Sequence, residues 1–331
     1  MTRSVGVIGA GSWGTALAIV LAQHGYQAGL WVYEPELAQA MASERENRVY
    51  LPGFALPAAV HPTASLAEAL APLLLIAVPS HALRATLARL LPLLPPAVEI
   101  VLATKGLEED TLLRVSEVAE EVLGAGIRSR LATLSGPTFA REVAAGDPTA
   151  VVIAARDPAL ATSLQQRLAS PTLRLYTSSD VVGVELAASL KNVIAIAAGI
   201  CQGLGLGSNT RAALIARGLA EMSRLAIAAG GQAETLAGLA GLGDLVLTCT
   251  GELSRNRSLG IALGQGRSLA EAQAATPMVA EGVRTTAAAA RLAERRGVEM
   301  PILRQMHRVL FEGQPPRHAV AELMQRSLKP E

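Results

Sequence analysis

The stretch Val5-Gly6-Val7-Ile8-Gly9-Ala10-Gly11-Ser12-Trp13-Gly14 decides the fold of the first half of the chain. Its first four residues are a short apolar run, typical of a buried strand, and an alanine-rich helical pattern follows its last glycine. Gly9 permits a tight turn, Gly11 lets the backbone approach a pyrophosphate, and Gly14 allows close packing of helix on strand. Because a helix N-terminus offers free N–H groups to phosphates, the stretch predicts a dinucleotide-binding unit.

Short apolar runs alternate with helical patterns from this stretch to about residue 179. Strands are predicted at 5–8, 28–32, 73–78, 98–103, 131–134, 150–154 and 173–176, with helices between many of them, as at 13–24, 82–91 and 111–123. Such alternation is typical of a mostly parallel sheet covered by helices on both faces. The fold class is therefore α/β, with a Rossmann-like, dinucleotide-binding N-terminal domain at residues 1–179.

The second half contains long helical patterns without strands. They lie at 181–200, 211–229, 269–275, 282–296 and 301–311, after the small polar residues Ser178-Ser179-Asp180. We therefore expect an all-helical, substrate-binding C-terminal domain at residues 180–331.

Composition excludes several classes of protein. Half of the 331 residues are hydrophobic and 17% are charged, a balance opposite to that of disordered chains. The net charge of +1 argues against a nucleic-acid binder, which needs many phosphate contacts. Cys201 and Cys249 form no disulfide or zinc pattern, the five histidines are scattered, and no run of about 20 apolar residues appears. We expect a cytoplasmic protein with neither a metal site nor a membrane span.

The identity of the dinucleotide is left open by the residues after the second strand. Glu34 can accept hydrogen bonds from ribose hydroxyls and would repel a 2′-phosphate, which favours NAD. Tyr33 either stacks on the adenine or caps the strand end. Arg45 and Arg48 could instead hold the 2′-phosphate of NADP, although exposed arginines are usually solvated.

Lysine is rare in this chain. Only Lys105, Lys191 and Lys329 occur, so that 26 of the 29 basic residues are arginine. Arginine cannot lose its proton in a protein, whereas a buried lysine can serve in proton transfer. Lys191 lies in a helical pattern too apolar for a surface helix, the environment of a proton-transfer lysine, although its side chain could instead extend from the helix to solvent. Lys329, in a polar tail, fits chance retention.

Small polar and cationic residues follow three of the predicted strands, at Val78-Pro79-Ser80, Thr104-Lys105-Gly106 and Ser135-Gly136-Pro137-Thr138. The carboxyl ends of strands border the ligand crevice of an open α/β sheet. In the second half, Gly241-Leu242-Gly243-Asp244 predicts a turn, and Ser254-Arg255-Asn256 opens a helix with three hydrogen-bond donors. Such donors at a helix N-terminus suit an anion such as a phosphate.

These motifs, with Leu190-Lys191-Asn192-Val193, Thr248-Cys249-Thr250 and Val279-Ala280-Glu281-Gly282, occur in an order that resembles bacterial NAD(P)-dependent glycerol-3-phosphate dehydrogenase over the whole chain. The resemblance implies a homodimer that binds NAD(H) or NADP(H) and a small phosphorylated substrate. It implies reversible reduction of dihydroxyacetone phosphate to sn-glycerol 3-phosphate, which feeds phospholipid synthesis.

The resemblance also implies roles for individual residues. The residue that matches Lys191 is the general acid/base, while Lys105 contacts substrate and cofactor. The implied substrate-binding residues are Lys105, Gly136, Thr138, Lys191, Asp244, Ser254, Arg255 and Asn256. The cofactor-binding residues that the resemblance implies are Ser12, Trp13, Tyr33, Lys105, Ala140, Arg255, Val279 and Glu281. The residues themselves add Gly9, Gly11, Gly14 and Glu34, and Glu34 departs from the family, in which a basic residue near Tyr33 is common.

Three alternatives to this function are open. A dehydrogenase acting on a hydroxy acid or on ketopantoate would share the first domain and a lysine, but would have less need of Ser254-Arg255-Asn256. A non-catalytic dinucleotide sensor would not need Lys191 in an apolar helix. A structural helical scaffold would leave the glycine stretch unexplained.

Overall fold

The computed structural model describes residues 3–274 and 280–328, and the chain divides into two compact units. The first unit contains residues 1–105 and 113–185, and the second contains residues 106–112 and 186–331. One helix continues across residue 185, so the domain limits 1–179 and 180–331 stay a prediction.

The first unit is built on an eight-stranded sheet with the order β3-β2-β1-β4-β5-β6-β7-β8. All neighbouring strands are parallel except β6 and β7, which are antiparallel. The strands are β1 (Arg3–Ile8), β2 (Tyr26–Trp31), β3 (Val60–Thr63), β4 (Leu73–Ile76), β5 (Glu99–Leu102), β6 (Leu131–Ser135), β7 (Thr149–Ala155) and β8 (Leu173–Ser178). The predicted mostly parallel, Rossmann-like sheet is confirmed.

Helices cover both faces of this sheet. They are α1 (Ser12–Gln23), α2 (Pro35–Glu44), α3 (Ser80–Leu90), α4 (Val115–Leu123), α5 (Ala140–Ala145) and α6 (Pro158–Leu168). Leu73 and Leu75 belong to one buried apolar cluster, while Leu74 and Ile76 belong to the other. Because alternate residues of a strand face opposite sides, both faces of β4 are buried, which explains its continuous apolar sequence.

The second unit is helical, and its described residues contain no strand. Its helices are α7 (Val181–Gly203), which begins in the first unit, α8 (Ser208–Ala228), α9 (Ala233–Ala237), a π-helix (Leu239–Gly243), α10 (Asp244–Thr250), α11 (Arg255–Gly264), α12 (Leu269–Ala274), α13 (Glu281–Arg295), α14 (Pro301–Phe311) and α15 (Pro316–Met324). The predicted helical C-terminal half is thereby confirmed.

Helix α7 is fixed within the first unit by a buried carboxylate. Glu185 accepts hydrogen bonds from Arg114 (2.7 Å), from the Ser116 hydroxyl (2.8 Å) and from Thr133 (2.8 Å). These partners stand at the start of α4 and on β6, so one side chain joins three elements. A buried carboxylate needs this many donors to offset the loss of water.

Glycines bring α7 and α11 into backbone contact in the second unit. A Cβ at Gly199 would lie 2.1 Å from the carbonyl oxygen of Arg257, and one at Gly260 would lie 2.0 Å from that of Ile196. Only glycine permits this approach. The contact places the part of α7 that precedes Gly199 near the start of α11. The candidate site of the second unit is built at this crossing.

The structure departs from the sequence-based prediction at several elements, including the short helices α9 and α15, which were not predicted. Strand β3 and helix α2 were not predicted, because Val60–Thr63 contains a proline and a histidine and is only four residues long, and α2 has a weak apolar pattern. The helix predicted at 111–123 begins at Val115, since Leu112 has a left-handed backbone (φ +64°). The turn predicted at 241–244 is wrong: a π-helix occupies Leu239–Gly243 and continues into α10.

One helix, α7, is long and apolar enough to cross a membrane. Of its most apolar window, however, 94% is buried inside the protein, as in the core helix of a globular fold.

Candidate active site

The glycine stretch connects β1 to α1 as its sequence predicts. Gly9 has φ +114°, and a Cβ at Gly14 would lie 1.8 Å from the carbonyl oxygen of Gly9. A Cβ at Gly11, in contrast, would meet nothing within 4 Å. Gly9 and Gly14 are thus required by the fold itself, while Gly11 faces open space, where a phosphate could approach the backbone.

A buried asparagine that sequence reasoning missed holds this stretch in place. Asn47 is fully buried, and its amide nitrogen donates to the carbonyl of Ala10 and to the hydroxyl of Thr15, both at 2.8 Å. Its amide oxygen accepts from the backbone of Tyr50 at 3.0 Å. No local pattern marks the bonds from Asn47 to the glycine stretch, because Ala10 and Thr15 are more than 30 residues away in the sequence.

The start of α1 fits a bound dinucleotide. No side chain caps this helix, and its first turn has no acidic residue, so its free N–H groups and positive dipole end are available to an anion. The indole nitrogen of Trp13, in that turn, is buried without a hydrogen-bond partner among the described residues. Such an orphaned donor beside open space at Gly11 is what a cofactor site provides before its ligand is bound.

The residues after β2 present an aromatic ring and a carboxylate. Tyr33 is 70% exposed and contacts Trp31 edge-on, with ring centroids 6.0 Å apart. Glu34 precedes α2 and accepts a hydrogen bond from the Tyr50 hydroxyl at 3.0 Å. Burial, and after it the hydrogen bond and charge of Glu34, raise the pKa of Tyr50. An acidic side chain therefore stands where a ribose would be read in a fold of this kind.

The two arginines considered as ligands for a 2′-phosphate have partners within the protein. The Arg45 guanidinium donates to the carbonyl oxygens of Leu56 (3.3 Å), Pro57 and Val60 (3.0 Å). Arg48 pairs with Glu44 at 3.1 Å, and its side chain is 65% exposed. The Arg45 guanidinium is therefore held by backbone carbonyls, whereas Arg48 makes a weak ion pair at the surface.

The carboxyl ends of β5 and β6 are joined through a predicted site residue. The Lys105 ammonium donates to the carbonyl oxygen of Gly136 at 3.3 Å, and the Thr138 hydroxyl donates to the same oxygen at 3.2 Å. Gly136 has φ +145°, and a Cβ there would lie 3.0 Å from the Cα of Val151. The structure thus brings Lys105, Gly136 and Thr138 together at one edge of the sheet.

A buried ion pair forms the centre of the second unit. The Lys191 ammonium, on α7, contacts the Asp244 carboxylate and donates to the Thr248 hydroxyl at 2.9 Å. Lys191 is 5% exposed and Asp244 is fully buried. Asp244 begins α10, and Thr248 follows one turn later, where its hydroxyl also donates to the Asp244 carbonyl at 2.6 Å. The anion that pairs with Lys191 is therefore a side chain of the protein.

A second polar cluster lies beside this ion pair on α7 and α11. The amide of Asn256 donates to the side-chain oxygen of Asn192 at 3.0 Å and accepts from the backbone N–H of Gly282 at 3.0 Å. Ser254 is the N-cap of α11, accepting from the backbone of Arg257 at 3.3 Å, whereas Arg255 is exposed. Ser254 therefore caps the helix that the sequence predicts to begin here, and the cluster fixes the orientation of the Asn256 amide.

The remaining predicted cofactor residues stand at helix starts or outside the described part. Ala140 begins α5 and Glu281 begins α13, each partly buried. Val279 lies outside the described residues, as does Lys329. Sequence reasoning did not single out Asn192 or Thr248, although both belong to quoted motifs. Asn192 could have been found because it is adjacent to Lys191, and Thr248 because it lies one helical turn after Asp244.

The cysteine next to the ion pair is not a nucleophile candidate, and no metal cluster is present among the described residues. Burial raises the pKa of Cys249 to about 12, so this neighbour of Thr248 stays a neutral thiol. The described residues contain no group of three or more His, Cys, Asp or Glu side chains able to hold a metal ion.

Comparison with known proteins identifies the family to which the chain is similar. Family models described as NAD-dependent glycerol-3-phosphate dehydrogenase N-terminus and C-terminus match residues 4–161 and 180–321. A glycerol-3-phosphate dehydrogenase [NAD(P)+] of Geobacter sulfurreducens is 54% identical over 333 residues, covering 100% of this chain and 99% of its own. The crystal structure of glycerol-3-phosphate dehydrogenase from Coxiella burnetii has a TM-score of 0.93 at 44% identity, covering 98% of this chain and 99% of its own. A ketopantoate reductase from Ralstonia eutropha shares the fold alone, with a TM-score of 0.62 at 17% identity.

Proposed function

The chain belongs to the NAD-dependent glycerol-3-phosphate dehydrogenase family, and from that premise we propose that it reversibly reduces dihydroxyacetone phosphate to sn-glycerol 3-phosphate. The nicotinamide cofactor, when bound, supplies the hydride. The observation that carries the proposal is the buried Lys191 ammonium, held by Asp244 and Thr248. An ammonium with 5% exposure can deliver a proton to a substrate oxygen without competition from bulk water.

Lys191 acts as general acid in the direction of reduction. Its Nζ donates a proton to the carbonyl oxygen of dihydroxyacetone phosphate as that oxygen gains charge, and the resulting amine takes a proton back from water after product leaves. Asp244 and Thr248 fix the direction of the Nζ–H bonds, and the Asp244 charge stabilises the ammonium form between turnovers. In the direction of oxidation the neutral amine of Lys191 accepts the hydroxyl proton.

The start of α11 binds the phosphate of the substrate in this proposal. Arg255 is exposed at the first position of the helix, whose first turn has no acidic residue. The Asn256 amide nitrogen donates one of its hydrogens to Asn192, and its second hydrogen can be donated to the phosphate. Ser254 contributes through its cap, which sets the backbone from which Arg255 extends. A guanidinium and a helix N-terminus are a strong combination for a phosphate.

Residues at the sheet edge complete the substrate and cofactor contacts. Lys105 polarises the substrate carbonyl, and Gly136 and Thr138 contact substrate beside it. The cofactor is held by Gly9, Gly11, Ser12, Trp13, Gly14, Tyr33, Glu34, Lys105, Ala140, Arg255, Val279 and Glu281. The carboxylate of Glu34, and the partners that Arg45 and Arg48 already have, support a preference for NAD over NADP.

We further propose that the enzyme is a cytoplasmic homodimer that supplies phospholipid synthesis. Exposed apolar side chains of the second unit support self-association: Leu242 (39% exposed) and Val246 (41%) lie four residues apart in the π-helix and α10, and Leu253 (45%) follows in the turn after α10. Light scattering after size-exclusion chromatography tests the proposed dimer, and a monomer at micromolar concentration would contradict it.

Steady-state kinetics test the reaction and the cofactor preference together. Purified protein is assayed for oxidation of NADH and NADPH with dihydroxyacetone phosphate, dihydroxyacetone and ketopantoate. We expect turnover with the phosphorylated ketone, a higher kcat/KM with NADH, and little turnover with the two substrates without a phosphate. Arg255→Gln should raise the KM for dihydroxyacetone phosphate by about tenfold or more, because a charged hydrogen bond is lost. Equal turnover with dihydroxyacetone would remove the support for the phosphate site.

A further inference from the structure

Ser135, the last residue of β6, carries a buried hydroxyl without a hydrogen-bond partner among the described residues. The residue is 3% exposed. Two residues earlier on the same face of the strand, the Thr133 hydroxyl is bonded to Glu185 at 2.8 Å, so polar groups here are normally satisfied. Since an unpaired buried hydroxyl is costly, it is commonly explained by a ligand that the free protein lacks.

The position of Ser135 in the sheet indicates which ligand this is. Strands β3, β2, β1, β4, β5 and β6 run parallel, so their carboxyl ends share one edge, and the direction reverses at β7. The glycine stretch follows β1 and Glu34 follows β2, which places the pyrophosphate and adenosine sides of a dinucleotide there. The rest of the dinucleotide extends the other way, over β4 and β5 to β6. Strand β6 is the last one on that side whose carboxyl end lies at this edge.

We propose that the Ser135 hydroxyl contacts the carboxamide of the nicotinamide ring. This carboxamide has a carbonyl acceptor and an NH₂ donor, and a serine hydroxyl can both donate and accept. The neighbouring Gly136 carbonyl is already held by Lys105 and Thr138, which fixes the strand end from which Ser135 projects. Trp13, the other orphaned donor of the first unit, serves the pyrophosphate side of the same ligand. The inference rests on the dinucleotide site of the proposed function.

The test compares two ligands that differ in the nicotinamide. Calorimetric titration of wild type and Ser135→Ala with NADH and with ADP-ribose, which lacks the nicotinamide, separates the two ends of the site. We expect the Kd for NADH to rise about three- to tenfold in the variant, as for one lost neutral hydrogen bond, while the Kd for ADP-ribose stays unchanged. The Tm of the free variant should equal or exceed that of wild type, because no hydrogen bond is lost in the free protein.

Two further variants serve as controls. Thr133→Val removes a hydroxyl that is bonded within the protein, so it should lower the Tm and leave the ratio of the two Kd values unchanged. Trp13→Phe should weaken NADH and ADP-ribose alike. Ser135→Cys keeps a side chain of similar shape with a weaker donor, so it should raise the Kd for NADH in the same direction and leave the Kd for ADP-ribose unchanged.

Several results would overturn the inference. The inference fails if Ser135→Ala binds NADH with unchanged affinity, if the variant binds both ligands equally more weakly, or if the Tm of the free variant is lower. It also fails if the only effect is on the KM for dihydroxyacetone phosphate, because the hydroxyl would then contact the substrate. If the wild-type protein binds neither NADH nor ADP-ribose, it is the proposed function that fails.

Discussion

At the scale of single residues, the substitution Lys191→Arg distinguishes the role of the positive charge at this position from the role of proton transfer. Both side chains can pair with Asp244, but a guanidinium does not give up its proton. We expect Lys191→Arg to bind NADH as wild type does and to lose about 10²- to 10⁴-fold in kcat, the range for a missing general acid. Fluorescence titration and NADH absorbance kinetics measure the two quantities.

Arg217→Lys, an exchange in the other direction at an exposed position of α8, is the matched control and should change neither quantity. A kcat of Lys191→Arg close to that of wild type would remove Lys191 from the chemistry. Loss of NADH binding would instead show that the larger side chain disturbs more than proton transfer.

The residue scale also shows what sequence can and cannot predict about this site. The burial of Lys191 is confirmed, because the apolar residues around it in the sequence are sufficient to indicate a core helix. Its catalytic role stays a prediction. Asn47 and the pairing of Asn192 with Asn256 depend on contacts across 37 and 64 residues, and such contacts have no local signature.

At the scale of elements, the glycines of the β1–α1 connection differ in what they do. A Cβ at Gly14 would lie 1.8 Å from a backbone oxygen, whereas one at Gly11 meets nothing within 4 Å. We therefore expect Gly14→Ala to destabilise the first unit, with a Tm at least several degrees lower or insoluble expression. Gly11→Ala should keep the wild-type Tm and weaken NADH binding by about tenfold or more, because its methyl group occupies the approach of the phosphate. Thermal melts and NADH titration of both variants check this; a stable Gly14→Ala or a tightly binding Gly11→Ala contradicts it.

Helix α14 depends on a carboxyl group supplied by α8. Glu221 is 3% exposed and accepts from the backbone N–H groups of Ile302 (2.7 Å) and Leu303 (3.2 Å), which lie in the first turn of α14. Burial raises the pKa of Glu221 from 4.5 to about 7, against the opposing effects of these hydrogen bonds and of Arg224 and Arg326. Between these two pH values the folded protein holds a proton that the unfolded chain has lost.

This shift makes the contribution of Glu221 to stability dependent on pH. The contribution is fully present below pH 4.5 and is lost as the pH rises through about 7. Over that interval the free energy of unfolding should fall by on the order of 3 kcal/mol from this group. The side chain of the Glu221→Gln variant cannot titrate. Unfolding in urea is therefore measured for wild type and variant from pH 5 to pH 8, and the free energy of unfolding of the variant should rise relative to that of wild type as the pH increases. The comparison cancels the histidines, which titrate in both proteins, and a pH-independent difference would contradict the shift.

Elements were predicted correctly from sequence where the apolar pattern is long or where a strand is buried on both faces. They were not predicted where apolar, polar and helix-breaking residues alternate within a few positions. The strands with continuous apolar sequence and the long helices α7 and α14 were predicted with their type correct. Strand β3 was missed because its pairing with β2 stabilises four residues that include Pro62. The π-helix before Asp244 was read as a turn because Gly241 and Gly243 usually break helices, yet here Gly241 lets the backbone pack against Leu236.

At the scale of the whole molecule, the scarcity of lysine relative to arginine makes chemical modification of amino groups selective. The chain has three lysines among its 29 basic residues, so an amine-directed reagent has few targets besides the N-terminus. Lys105 is partly exposed at the sheet edge, and Lys191 is 5% exposed and paired with Asp244. Because acylation needs an accessible, unprotonated amine, burial and ion pairing both slow the reaction at Lys191.

Limited acetylation should therefore modify Lys105 much faster than Lys191, and enzyme activity should fall in step with the modification of Lys105. NADH together with glycerol 3-phosphate should slow the reaction at Lys105, since both are proposed to contact it. Peptide mass spectrometry over a time course, with residual activity measured on the same samples, gives both rates. Acetylation of Lys191 as fast as that of Lys105 would mean that its ion pair opens readily in solution, and unchanged activity after complete modification of Lys105 would remove that residue from the site.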